Sequence, residues 1–149
     1  METLIVWFLD KAMAFIKFSS GYRTPSLTGR MEKPVFYRGK KVYPVYLTLQ
    51  PGTSDITFEN ISCNCSFYLP DEEYGHSLFW DLGSEQRVYR PDQKAPNPYI
   101  KSIPLNGNGL PKEELFFVDP QDNPFIEFKI RSQSRFFIAR TLTWKQSVV

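Results

Sequence analysis

VYPVYLTLQPGTSDITFENISCNCSFYL, residues 42–69, is the stretch whose periodicity decides the fold. Tyr43, Val45, Leu47 and Leu49 alternate with Tyr46, Thr48 and Gln50. Beyond the Pro51-Gly52 turn, Ile61, Cys63, Cys65 and Phe67 alternate with Ser62, Asn64, Ser66 and Tyr68. Successive side chains of a strand point to opposite faces, so each run lays one apolar row against a core. β-Branched and aromatic residues dominate both runs, as a pleated, half-buried surface favours. Ile56 and Phe58 are even-numbered while the row from Ile61 is odd, so the spacing predicts a bulge near Asn60.

Upstream, Val35 to Tyr37 predicts a short strand that turns at Arg38-Gly39-Lys40 into the Val42 strand as a hairpin. Downstream, Ser77 to Leu82, Gln86 to Arg90, Glu114 to Asp119, Phe125 to Arg131 and Arg135 to Lys145 read as further strands. Residues 91–111 (PDQKAPNPYIKSIPLNGNGLP) hold five prolines and an Asn-Gly-Asn-Gly run, and read as an extended loop. About eight short strands with turn signals between them make a mainly β fold, an antiparallel sandwich or barrel-like domain over residues 42–149. Residues 21–41 read as a basic, turn-rich arm preceding it.

Residues 1–20 read as one apolar helix, stopped by Ser19-Ser20-Gly21. Glu2, Thr3, Asp10 and Lys17 share one polar stripe, and Leu4, Ile5, Val6, Trp7, Phe8, Leu9, Phe15 and Ile16 fill the rest of the circumference. One sheet covers only one side of such a helix, so Trp7, Phe8 and Phe15 are expected to face a partner. Glu2 opposes a signal-peptide reading. Asp10-Lys11 interrupts the run well short of the ~20 apolar residues of a spanning helix, so no membrane span is expected.

With 149 residues the chain has the size of one domain, and 42% hydrophobic content excludes wholesale disorder. Thirteen Phe and eight Tyr call for an aromatic core or interface. The net charge of +2 hides a segregation: residues 1–41 hold eight Lys/Arg against three acids, 42–86 hold seven acids and no Lys or Arg, and 87–149 hold ten Lys/Arg against six acids. Opposite-signed regions can satisfy one another or meet neighbouring molecules. Cys63 and Cys65 are too few for a disulfide framework and too close along one strand face to bridge without strain. They read as buried, reduced, small apolar residues of a reducing compartment.

Catalytic machinery is hard to assemble from this sequence. His76 is the single histidine, so any Ser–His or Cys–His nucleophile would need it, and it stands in an acidic turn. Cys63, Cys65 and His76 fall one short of a structural zinc set. Asp71, Glu72 and Glu73 read as a solvated acidic loop. Gly107 and Gly109 lack the third glycine and the strand–helix context of a dinucleotide loop. The expectation is a non-enzymatic protein without cofactor or metal.

Two binding readings remain. The first is a structural subunit of a larger homo- or hetero-assembly, gripping its neighbours through the helix, through Arg38, Lys40 and Lys41 of the arm, and through Arg135 and Arg140 against an acidic Asp71, Glu72, Glu73 loop. Small β-domains with arms and long loops suggest by analogy of architecture a tailed-phage virion component, at the head–tail connector, neck or tail. The expected location is cytoplasmic, or the virion if the chain is viral. The alternative is a single-stranded nucleic-acid binder using the basic arm and the C-terminal hairpin, where cations interleave with aromatic residues.

Overall fold

A computed structural model describes residues 21–71, 90–133 and 139–148. The N-terminal helix and the strand expected at Ser77 to Leu82 lie outside the described residues, as does most of the one at Gln86 to Arg90. Among the described residues there is no helix, and ten strands follow one another: β1 (Ser26–Met31), β2 (Val35–Tyr37), β3 (Lys40–Gln50), β4 (Ile56–Cys63), β5 (Ser66–Asp71), β6 (Arg90–Lys94), β7 (Tyr99–Leu105), β8 (Lys112–Asp119), β9 (Phe125–Ser132) and β10 (Thr141–Ser147). They form two antiparallel sheets facing one another. One is six-stranded, ordered β1-β3-β8-β5-β6 with β2 also on β3, and the other is four-stranded, ordered β10-β9-β4-β7.

The odd-numbered row of β3 faces inward, burying Val45, Leu47 and Leu49, and β8 adds Phe116 and Val118. The four-stranded sheet answers with Phe58, Ile61, Ile103, Leu105, Ile126, Phe128 and Ile130. Phe67, Phe116 and Phe128 meet at the centre. Phe67 stands edge-on to the other two at 5.4 and 5.5 Å, and Phe116 stacks on Phe128 at 5.4 Å. The bulge expected near Asn60 is present, because the pairing of β4 with both β7 and β9 slips between Phe58 and Asn60.

The even alternation through Cys63 and Cys65 suggests one strand, but the chain changes sheets there. β4 ends at Cys63 in the four-stranded sheet and β5 begins at Ser66 in the six-stranded one. Two asparagines substitute for the missing strand neighbours. Asn64 Oδ1 accepts the Glu127 N–H at 2.8 Å, and its Nδ2 donates to the Phe125 carbonyl at 3.0 Å. Asn97 Nδ2 donates to the Cys63 carbonyl at 2.6 Å. The crossing therefore leaves these backbone groups paired, as a buried main chain requires.

Both thiols remain buried and free at this crossing. Burial pushes the Cys63 thiol up from the ordinary 9.0 to about 12 and raises Cys65 as well, because a thiolate is poorly solvated there. Neither is a ready nucleophile. A thiol reagent is expected to modify them only at the rate of unfolding; prompt labelling of the native protein would contradict this placement. Between pH 9 and about 12 the folded state keeps the Cys63 proton that the unfolded chain gives up. Stability should accordingly fall as pH rises through that window.

Two segments differ from their sequence reading. Residues 91–111 are not one loop: they hold β6 and β7, one at an outer edge of each sheet. Proline usually marks a break, but Pro91 and Pro104 stand on edge strands, where a missing N–H leaves no ladder bond unmade. Residues 21–41 are not a free arm either, since β1 pairs with β3 from Ser26↔Gln50 to Met31↔Val45. Leu27 and Met31 pack against the core, and between them Gly29 lies under the Trp144 indole of β10. A Cβ on Gly29 would sit 2.6–2.8 Å from indole atoms, so the absent side chain lets the two sheets close on this flank. The opposite flank is bounded by β6 and β7.

Candidate interaction surfaces

The β2–β3 hairpin has the form the sequence suggests. Tyr37 pairs with Lys40 across the two-residue turn Arg38–Gly39, with positive φ at both (51° and 77°). This is the backbone twist that two-residue hairpins favour. β3 gains its β8 partner only from Tyr43 and its β1 partner only from Val45, so the tip overhangs the sheet. Its cations are held over rings: Arg38 lies 5.3 Å from the Tyr37 ring and Lys41 5.6 Å from Tyr43. Lys40 Nζ donates to Tyr68 Oη at 3.2 Å, which fastens the base of the tip to β5. Phe36, paired with Lys41 across the hairpin, is 76% exposed.

Beside the hairpin, Tyr37, Arg38 and Lys40 share a small groove of about 140 Å³ with Tyr68, Pro91 and Asp92. Asp92 also borders a larger cleft of about 390 Å³ on the flank of β6 and β7. It is lined by Leu69, Pro70, Tyr99 and Leu115 together with Asp71, Asp92, Lys101 and Glu114, and the lining is more polar than apolar. Lys101 Nζ reaches Glu114 at 2.8 Å. Asp71 and Asp92 form no ion pair among the described residues.

A third cavity, of about 370 Å³, lies at the far end, where Arg140 meets Tyr22, Pro25, Asp55, Ile56 and Gln133. Its polar groups serve the chain itself. Asp55 Oδ1 accepts the Gly107 N–H at 2.6 Å, and Gln133 Nε2 reaches Glu59 at 3.2 Å. Ser132 Oγ accepts the Arg140 N–H at 2.7 Å. Arg140 thus belongs to the sandwich end, remote in the fold from the hairpin tip. No buried side-chain nitrogen or oxygen among the described residues lacks a partner, and none of their His, Cys, Asp and Glu side chains group as a metal site.

The outer face of the four-stranded sheet is polar. The register sets Lys129 between Ser62 and Thr143, and Arg131 between Asn60 and Thr141. Lys145 sits 4.0 Å over the Phe125 ring, and Glu127 is the one acid in that row of β9.

Comparison with family models, with curated proteins and with solved structures finds no match. The surfaces must therefore be read from their own chemistry.

Of the residues expected to bind partners, Arg38, Lys40, Lys41, Asp71 and Arg140 are described, and the structure brings the hairpin cations to the acidic flank through Asp92. Trp7, Phe8, Phe15, Glu72, Glu73 and Arg135 lie outside the described residues. Phe36, Asp92, Tyr99 and Glu114 are new to the site. Asp92, Tyr99 and Glu114 gave no local signal. No helix among the described residues is long and apolar enough to cross a membrane.

Proposed function

We propose that this chain is a non-enzymatic structural subunit of a multi-subunit protein assembly, with the β2–β3 hairpin as its grip. The observation that carries this reading is Phe36: a phenylalanine 76% exposed opposite Lys41 on an overhanging hairpin that also carries Arg38 and Lys40. An aromatic anchor beside cations is costly to leave in water and is a common core of protein–protein contacts. The other large exposed apolar residues among those described are Val35 on the same hairpin, and Ile100 and Leu110 elsewhere. Pro91 on β6 and Pro104 on β7 blunt the sheet edges formed by the described strands against strand addition, which favours contact through the hairpin and faces. A tailed-phage head–tail connector, neck or tail is a setting consistent with this architecture by analogy, and a reducing cytoplasm or a virion is the location that suits two free thiols.

Sedimentation velocity of the full chain is expected to give a mass above the 17.4 kDa of one copy, decreasing as salt screens the hairpin charges. A monomer at every concentration and salt would overturn the reading for self-assembly. A second reading, single-stranded nucleic-acid binding, draws on Lys129, Arg131 and Lys145 over a hydroxyl-rich floor. That face has one aromatic residue in its β9 row, Phe125, already covered by Lys145, so it lacks the stacking platforms such binders use. Fluorescence anisotropy with a labelled single strand decides this: binding lost in Lys129→Glu/Arg131→Glu, with a steep salt slope, would move the assignment to nucleic acid.

A further inference from the structure

We infer that two copies of this chain pair edge to edge along β10, antiparallel about a two-fold axis, so that their four-stranded sheets run on as one; this rests on the assembly reading above and adds a second contact to the hairpin. β1 and β6 end the larger sheet, and β7 and β10 the smaller. Pro91 and Pro104 blunt β6 and β7. β1 carries Gly29 in its interior, which weakens a strand. β10 has neither proline nor glycine, spans Thr141–Ser147 and keeps its register with β9 throughout. An edge of this kind is a ready template for another strand.

Which backbone groups face that edge follows from the bonds at the two ends of the ladder. The Ser132 N–H donates to the Arg140 carbonyl at 2.8 Å, and the Val148 N–H to the Pro124 carbonyl at 3.0 Å. Residues of an antiparallel strand alternate between bonding one neighbour and facing away from it. Leu142, Trp144 and Gln146 therefore bond β9, and the N–H and C=O groups of Thr141, Thr143 and Lys145 point away from it. These three residues are exposed.

A second β10 fits this edge. Two strands pair here only where an outward-facing residue opposes an outward-facing residue. Centring the pair on Trp144 achieves this over the whole strand and sets Thr143 opposite Lys145 of the second copy. Centring it on Thr143 shortens the overlap, and centring it on Lys145 opposes like charges. The Lys145 charge is already drawn back within its own sheet, 4.0 Å over the Phe125 ring and opposite Glu127. The same strand serves both copies, so the contact is isologous and closes at two.

The test uses the full chain in sedimentation velocity and mass photometry. Phe36→Ser, which removes the hairpin anchor, is expected to leave a dimer of twice 17.4 kDa. Adding Thr143→Pro should give a monomer with a circular dichroism melt close to that of Phe36→Ser alone, because the Thr143 N–H makes no bond to β9. Adding Thr143→Lys instead should weaken the dimer roughly 10-fold, since two symmetric like-charge pairs arise, whereas Thr143→Glu should not weaken it. Hydrogen exchange supplies a readout independent of these variants: the Thr143 and Lys145 amides should exchange slowly in the dimer and quickly on dilution to monomer. A dimer indifferent to Thr143→Pro and Thr143→Lys, with fast exchange at these amides, would refute the β10 contact. A wild-type assembly that Phe36→Ser reduces to monomer would also refute it and leave the hairpin reading standing. A wild-type monomer would end both.

Discussion

Phe128→Ala is expected to lower the free energy of unfolding by about 3–5 kcal/mol, measured by urea denaturation. Phe128 is fully buried and is the one ring that touches Phe67, Phe116 and Trp144, at 5.5, 5.4 and 6.4 Å. It therefore joins aromatic residues of both sheets, and its removal leaves a void that no single neighbour can collapse into without breaking another contact. Domains of this size are stable by only about 5–15 kcal/mol, so this loss is a large share of the total. A loss below 1 kcal/mol would mean that the two sheets do not meet at this residue.

Trp144→Ala and Gly29→Ala are expected to be strongly coupled. The first should cost about 3–5 kcal/mol, since a large ring that closes the β1–β10 flank disappears. The second should cost about 1–3 kcal/mol, because a Cβ at Gly29 meets the indole at 2.6–2.8 Å. In the double variant the new methyl enters the space the indole has left, so the total should fall near the cost of Trp144→Ala alone. Strict additivity in this double-mutant cycle would show that Gly29 and Trp144 are not in contact.

Much of the fold is legible in the sequence. The alternation from Tyr43 to Leu49 faces the core as expected, the turn at Arg38–Gly39 sits where the hairpin reading puts it, and the slip between Phe58 and Asn60 was foreshadowed by a change from even to odd rows. The candidate site was legible in its charges and not in its geometry. Arg38, Lys40 and Lys41 stood out as cations. Nothing in the residues around position 36 distinguished a phenylalanine left in water from one tucked into the core.

The sequence by itself determined that this is an antiparallel β protein with an aromatic core, because strand periodicity, turn chemistry and bulges are local properties of a few consecutive residues. Only the tertiary structure decided that the chain changes sheets at Asn64 and Cys65, that Pro91 and Pro104 sit on edge strands and not in a loop, and that Asp92 comes to lie beside Arg38. Each of these follows from which distant strands pair. Pairing is chosen by the packing of whole faces and the satisfaction of backbone hydrogen bonds across long separations, and a period of two looks the same on either sheet.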